Sequence, residues 1–189
     1  MIGIQDIQTA MGRIRDAIRV SPCTYSEAFS ALTNNAIFLK LDNQQRTGAF
    51  KERGALNKLL TLTPEERAQG VIAASAGNHA QGVAYHAGRQ GIRASIYMPL
   101  PTPLTKVSAT RAYGAEVVLY GTNYDEAYEK AVEQSREQHL TLIHAFDDDA
   151  GEKRDVDIAA AYQHRNFFAF EWKFVIEYGG NGSRSCAFR

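Results

Sequence analysis

Apolar residues recur along this chain with two periods, and the period decides which element each stretch forms. Ile4, Ile7, Met11, Ile14 and Ile18 fall at helical spacing, giving an amphipathic helix ahead of a turn at Ser21-Pro22. Ser26 to Leu32 reads as a second short helix, ended by Thr33-Asn34-Asn35. Ile37 to Leu41 is a strand, and Asp42 to Arg46 is a polar loop. Thr47 is placed as the N-cap of the next helix, in which Leu56, Leu59 and Leu60 recur behind Lys51. Thr63-Pro64-Glu65-Glu66 is a capping box with proline at the first helical position, so another helix starts there.

From Gly70 the pattern becomes regular. Strands are expected at Val71 to Ala74, Ala94 to Met98, Ala115 to Tyr120 and Leu140 to Ala145. Between them lie a small-residue helix from Asn78 to Ala87, a helix capped by Thr102-Pro103 and running to about Tyr113, and a third helix. The apolar stripe of that third helix is Tyr124, Ala127, Tyr128, Ala131, Val132 and Ser135. Strand and helix alternating at this spacing predict an α/β fold with a doubly wound parallel sheet. Ligands of such sheets bind at the C-terminal ends of the strands. After Asp147-Asp148-Asp149 the character changes: a charged run from Gly151 to Asp155 precedes Asn166 to Tyr178, where aromatic and aliphatic residues alternate with strand period.

Composition narrows the functional classes. The 189 residues are 44% hydrophobic and 22% charged with zero formal net charge, which gives no argument for nucleic acid or an acidic membrane surface as partner. No apolar run approaches the roughly 18 residues of a transmembrane helix, and the N-terminus has no signal-peptide pattern. Cys23 and Cys186 match no metal or redox spacing and read as reduced thiols. His86, His139, His144 and His164 likewise show no metal-ligand spacing. The expectation is a soluble cytoplasmic protein that binds no metal.

Two stretches carry candidate chemistry. In Thr47-Gly48-Ala49-Phe50-Lys51-Glu52-Arg53-Gly54-Ala55 a lysine occupies the first turn of a helix. The positive end of the helix dipole disfavours an ammonium there, and partial burial beside Phe50 would act in the same direction. A lysine so placed is a usable amine nucleophile of the kind that forms a Schiff base with an aldehyde cofactor; a solvated helix lysine is the simpler alternative. In Ser75-Ala76-Gly77-Asn78-His79-Ala80-Gln81-Gly82 a strand ends in a tight turn into a helix. Unpaired backbone N–H groups at that helix start suit a carboxylate or phosphate, although Asn78 could equally be a plain N-cap.

Taken together, the two stretches resemble the fold-type II pyridoxal-phosphate enzymes in the threonine/serine dehydratase branch, over about Ile37 to Asp148. The resemblance implies that Lys51 holds pyridoxal phosphate through a Schiff base. It also implies that Phe50 packs near the cofactor ring and that Asn78 bonds the cofactor's 3-hydroxyl oxygen. Ser75, Ala76, Gly77, Asn78 and His79 would wrap the substrate carboxylate, mainly through main-chain N–H groups. The implied reaction is deamination of threonine or serine to a 2-oxo acid and ammonia, with Lys51 removing the Cα proton. Arg53 and the His79 side chain would pack or support. Ala76 stands where related serine racemases resemble one another in carrying a serine as second acid/base. The threonine-serine-glycine-asparagine loop of sulfur-assimilating relatives is also absent. The branch implied is therefore a dehydratase, with a racemase or a non-catalytic remnant domain as alternatives. Full-length relatives imply a homo-oligomer.

In that family residues 1–46 would belong to a larger domain, residues 47–148 would form the small domain, and residues 149–189 would be a divergent tail of an incomplete second domain. Asp149 to Arg154 departs from the proline and glycine-glutamine-glycine stretch usual at that point. Gly179-Gly180-Asn181-Gly182 falls where a phosphate loop is expected, with Asn181 in place of glycine and Ser183 in place of leucine. No residue is identified to face the pyridine nitrogen. The chain by itself is thus expected to bind the cofactor weakly and to turn over little.

Overall fold

The structure is a computed structural model that describes residues 4–145 and 174–176. Helix α1 spans Ile4–Ile14. Strand β1 (Cys23–Tyr25) pairs antiparallel with β2 (Ile37–Lys40), and β2 pairs antiparallel with β7 (Phe174–Ile176), Phe38 opposite Val175. Strand β7 is the described part of the alternating Asn166 to Tyr178 stretch; the rest of that stretch and the Gly179 to Gly182 run lie outside the described residues. The short β1 has no counterpart in the sequence reading, because three residues are too few for a period to show.

Helix α2 (Glu27–Thr33) starts where Ser26 caps it and stops at Asn34, which adopts a left-handed conformation with φ 53°. The stripe of α1 differs in one detail from expectation: Met11 is 44% exposed, while Ala10 and Ile14, with Ile18 beyond the helix, bury against Leu56. Helix α3 spans Lys51–Thr61 and α4 spans Pro64–Gln69, the latter with its capping box complete: Glu66 N–H donates to the Thr63 hydroxyl oxygen and Thr63 N–H to the Glu66 carboxylate.

The second sheet is entirely parallel. It contains β3 (Val71–Ala74), β4 (Ala94–Met98), β5 (Glu116–Leu119) and β6 (Thr141–Leu142) in the order β5-β4-β3-β6. Helices α5 (Asn78–Arg89), α6 (Leu104–Ala112) and α7 (Tyr124–Glu137) make the crossovers. Alternate strand residues face opposite layers. Val71, Ala73, Ile96 and Met98 pack with Leu59, Val83 and Val107 on one side, whereas Ile72, Ala74 and Tyr97 pack with Ala131 and Leu140 on the other. Helices therefore cover both faces, and β3 is buried along its whole length, as a central parallel strand should be.

Several boundaries differ from the sequence expectation: β2 lacks Leu41, and β5 lacks Ala115 and Tyr120. Strand β6 is confined to Thr141–Leu142, although Ile143 N–H still donates to the Ile72 carbonyl at 2.8 Å. Thr102 does not cap α6; its hydroxyl donates to the Pro99 carbonyl at 2.7 Å, and Pro103 holds the cap position without a side-chain bond. Helix α5 runs on to Arg89 instead of stopping at Ala87.

Topology also fixes where a ligand belongs. The chain moves outward from β3 through β4 to β5, then returns through α7 to lay β6 on the opposite edge of β3. Strand order reverses between β3 and β6, and a crevice opens there at the C-terminal ends of the strands.

Candidate active site

Helix α3 begins at Lys51 because the turn before it cannot be helical. Gly48 has φ +73°, a left-handed conformation that costs glycine little and other residues more. The expected N-cap at Thr47 is therefore displaced, and Phe50 takes that position with no side-chain cap bond. Thr47 works in the opposite direction: its N–H (2.7 Å) and its hydroxyl (2.8 Å) both donate to Oε2 of Glu52, which is fully buried. A carboxylate from the first turn thus holds the turn that precedes the helix.

One residue further on, Arg53 grips Asp42 with two bonds, Nε to Oδ2 at 2.9 Å and Nη2 to Oδ1 at 3.1 Å. The Ser21 hydroxyl and the Gln45 amide also donate to Asp42. Burial alone would raise the Asp42 carboxyl, but the Arg53 fork with the Ser21 and Gln45 donors outweighs it and holds the group below its ordinary 3.8. The supporting place expected for Arg53 is this ion pair.

Lys51 immediately precedes Glu52 and Arg53, which make these two locks, and is only half-buried. Its Nζ donates to the Ala145 carbonyl at 2.8 Å, just past β6, and lies 5.4 Å from the centroid of the Phe50 ring. The amine therefore sits at the strand-order reversal. On the other side of the reversal, β3 runs into Ser75, whose N–H donates to the Tyr97 carbonyl at 3.0 Å and whose Oγ accepts from Gly77 N–H at 3.2 Å. Gly77 is the N-cap of α5, and the first helical bond runs from Gln81 N–H to the Gly77 carbonyl. Asn78, His79 and Ala80 occupy the first turn, where amides have no helical acceptor and face an anion well.

The loop is graded in exposure: Ser75, Ala76 and Gly77 are half-buried, Asn78 is exposed and His79 is buried. Asn78 is not the side-chain cap it could have been. The His79 ring crosses the reversal, with Nε2 3.0 Å from the Ile143 carbonyl, so that nitrogen carries the proton. Burial drives the His79 pKa down to about 4, and the nearby Lys51 and His144 charges push the same way. Helices α3 and α5 close over one another at Gly82, whose position is 3.1 Å from Glu52 Cα and 3.3 Å from the Lys51 carbonyl for any added Cβ.

The donor set suits pyridoxal phosphate at its aldehyde end: a primary amine beside an aromatic ring, faced across a crevice by helix-start amides and a neutral histidine. Sequence reasoning did not find Glu52, or the carbonyls of Ile143 and Ala145, as parts of this arrangement. Glu52 and Gly82 each lay inside a quoted motif with their roles unread, and a backbone carbonyl has no residue type to read. Among the described residues no cluster of three or more His, Cys, Asp or Glu could hold a metal ion.

A doubly wound sheet with a lysine amine at its switch point defines a class that sequence comparison also returns. The family model described as pyridoxal-phosphate dependent enzyme matches residues 14–164, and the chain belongs to that family. The match extends beyond both ends of the Ile37 to Asp148 stretch. Among curated relatives, the L-threonine ammonia-lyase of Geobacter sulfurreducens is 50% identical over 142 residues, which are 75% of this chain and 35% of that protein. The L-threonine ammonia-lyase of Thermotoga maritima is 45% identical over 148 residues, 78% of this chain and 37% of the relative. Among solved structures, threonine deaminase isoform 2 from Solanum lycopersicum superposes with a TM-score of 0.72 at 41% identity, covering 76% of this chain and 40% of that one. Maize serine racemase has the same TM-score at 31% identity, covering 76% and 44%. The chain thus spans less than half the length of these relatives.

Proposed function

We propose that this chain carries the lysine-bearing part of a pyridoxal-phosphate-dependent ammonia-lyase that converts threonine or serine to a 2-oxo acid and ammonia. The observation that carries the reading is the meeting of Lys51 Nζ and the Ser75 to His79 loop at the β3/β6 reversal. Similarity at 45–50% identity to proteins named L-threonine ammonia-lyase supports the choice of reaction. Bound pyridoxal phosphate supplies an aldehyde for an amine and an electron sink for a carbanion.

The chain's own residues do the rest. Phe50 and Asn78 hold the cofactor ring, Asn78 through its 3-hydroxyl oxygen. Main-chain N–H groups of Ser75, Ala76, Gly77, Asn78 and His79 fix the substrate carboxylate, with Gly77 N–H released from Ser75 Oγ to join them. Lys51 Nζ would leave Ala145 to hold the cofactor and, as the free amine, would take the Cα proton; a general base must lie within reach of the proton it moves. Ala76 offers no hydroxyl to return that proton from the opposite face, so elimination of the β-hydroxyl is favoured over racemisation.

The same proposal assigns residues 47–148 to the small domain. Residues 1–46 go to a larger domain, supported by the separate β1-β2-β7 sheet, and residues 149–189 to a divergent tail. It extends to cytoplasmic residence and to a homo-oligomer in the full-length form, with a small amino acid as the only other partner. No helix among the described residues is long and apolar enough to cross a membrane.

Purified chain titrated with pyridoxal phosphate tests the reading. A visible absorbance band from the lysine-linked cofactor is expected at excess cofactor, with little ammonia released from threonine, and Lys51→Ala should abolish the band. A band of unchanged intensity in Lys51→Ala would refute the role of the lysine. A stoichiometric band with rapid ammonia release would overturn the expected weak binding.

A further inference from the structure

The His79 side chain has no part in the reading above, which uses only its amide, yet it is one of the few polar side chains buried at the reversal. It is 5% exposed and stands on the first turn of α5. Its ring reaches the Ile143 carbonyl, 64 residues away in sequence and on the far side of the crevice. Two residues beyond Ile143, the Ala145 carbonyl receives Lys51 Nζ. Amine and loop are therefore referenced to the same three residues, Ile143 to Ala145.

We propose that the His79 imidazole is a positioning residue, a bolt that sets the height of the Ser75 to His79 amides against the strand end on which Lys51 rests. The inference rests on the proposed function for its purpose, since the position being set is that of the carboxylate. It rests on the geometry alone for its existence. The groups facing the ring are Lys51 from α3, His144 from the segment after β6 and the carbonyl of Ile143. Burial above all, then Lys51 and His144, disfavours a second proton on the ring, so the imidazole stays neutral with Nε2–H as donor at neutral pH. A charged side chain there would compete with the helix-start amides for the carboxylate; a neutral donor does not. Apolar side chains could fill the volume without fixing the distance across the crevice, because they have nothing to offer the Ile143 carbonyl.

Amide hydrogen exchange on the purified chain tests this without cofactor or turnover. His79→Phe keeps ring volume and removes the donor; His79→Gln places an amide nitrogen close to the site of Nε2. The expectation is at least tenfold faster exchange confined to residues 75–80 and 143–145 in His79→Phe, with Val71 to Ala73 and Ile96 unchanged, and recovery to within threefold of the parent in His79→Gln. If His79→Phe does not fold, His79→Asn, whose amide is too short to span the gap, carries the same expectation. Unchanged exchange at residues 75–80, a uniform acceleration that includes Val71 to Ala73, or no recovery with glutamine would each overturn the proposal. A parent chain that folds but gives no lysine-linked absorbance band with excess pyridoxal phosphate would instead refute the proposed function, and the exchange result would still decide the role of His79.

Discussion

Replacing Gly82 with alanine puts the closest helix contact in the site under test. A Cβ built at this position lies 3.1 Å from Glu52 Cα, 3.2 Å from Glu52 N and 3.3 Å from the Lys51 carbonyl. All three are backbone atoms of the first turn of α3, so no side chain can swing aside to make room. Two terms oppose each other. Alanine in a helix interior is favoured over glycine by about 1 kcal/mol, while forcing a methyl into a filled contact typically costs ~1–3 kcal/mol. The net expectation is a loss of up to ~2 kcal/mol, and a domain of this size changes its melting temperature by ~2–4 °C per kcal/mol.

Two other helical glycines calibrate the result. Gly12 in α1 has nothing within 4 Å of an added Cβ, so Gly12→Ala should show the propensity gain alone and raise the melting temperature. Gly88 in α5 would place its Cβ 2.5 Å from the Tyr113 carbonyl oxygen, a separation that no relaxation of a few tenths of an ångström relieves. Thermal and urea unfolding should therefore rank the variants Gly12→Ala above the parent, then Gly82→Ala, then Gly88→Ala. The absorbance band at excess pyridoxal phosphate should weaken in Gly82→Ala and be unaffected in Gly12→Ala, because only the former displaces the turn that carries Lys51. A Gly82→Ala chain stabilised as much as Gly12→Ala would show that α3 and α5 are not in close contact, and the positioning argument for Lys51 would fall with it.

Two further predictions concern charge. Asp42→Asn removes the anion held by Arg53, Ser21 and Gln45 and should destabilise the chain at pH 7 by ~1.5–3 kcal/mol, the worth of a hydrogen bond to a charged group. Because the folded Asp42 pKa lies below its ordinary 3.8, its contribution is present above that value and is lost as pH falls through the folded pKa. Urea midpoints of the parent and Asp42→Asn should therefore converge below about pH 4, and parallel curves would refute the ion pair. His79 and His86 are both held neutral, with pKa values lowered from 6.5 to about 4 by burial, helped by Lys51 and His144 at one and by Arg89 and Arg46 at the other. The unfolded chain then binds more protons than the folded chain between those values. Stability should fall as pH drops from 6.5 towards 4, at ~1.4 kcal/mol per pH unit for each histidine. His86→Leu should flatten that decline, and an unchanged slope would mean that His86 protonates in the folded state.

Much of this architecture was legible because parallel strands buried on both faces are short apolar runs with helical segments between them. Val71 to Ala74 and Ala94 to Met98 could be read residue by residue, and the capping box at Thr63 marks its helix unambiguously. The misplaced caps share one cause, namely a partner three to five residues away in sequence that takes the group a cap would have used. Thr47 is a good N-cap by type, but the buried Glu52 carboxylate takes its hydroxyl and amide, and Gly48 bends the chain away from the helix. Thr102 likewise turns to the Pro99 carbonyl. Beyond Ile143 the chain leaves the ladder, and the Ala145 carbonyl receives Lys51. The two motif stretches named the site residues from their types. What joins them could not be read in this way, because it consists of backbone carbonyls and one glycine contact.

The order Lys51-Glu52-Arg53 shows how one helical turn can brace an amine without burying it. Successive helical residues point about 100° apart, so three neighbours address three surroundings. Glu52 turns inward and ties the preceding turn through Thr47; Arg53 turns towards the 42–45 loop and grips Asp42. Both bonds hold backbone immediately around Lys51 while engaging side chains other than its own. The lysine is left half-buried, facing the strand reversal, with the Ala145 carbonyl among its partners. On the proposed function the amine would have to leave that carbonyl, and Glu52 and Arg53 would keep the turn in place while it did.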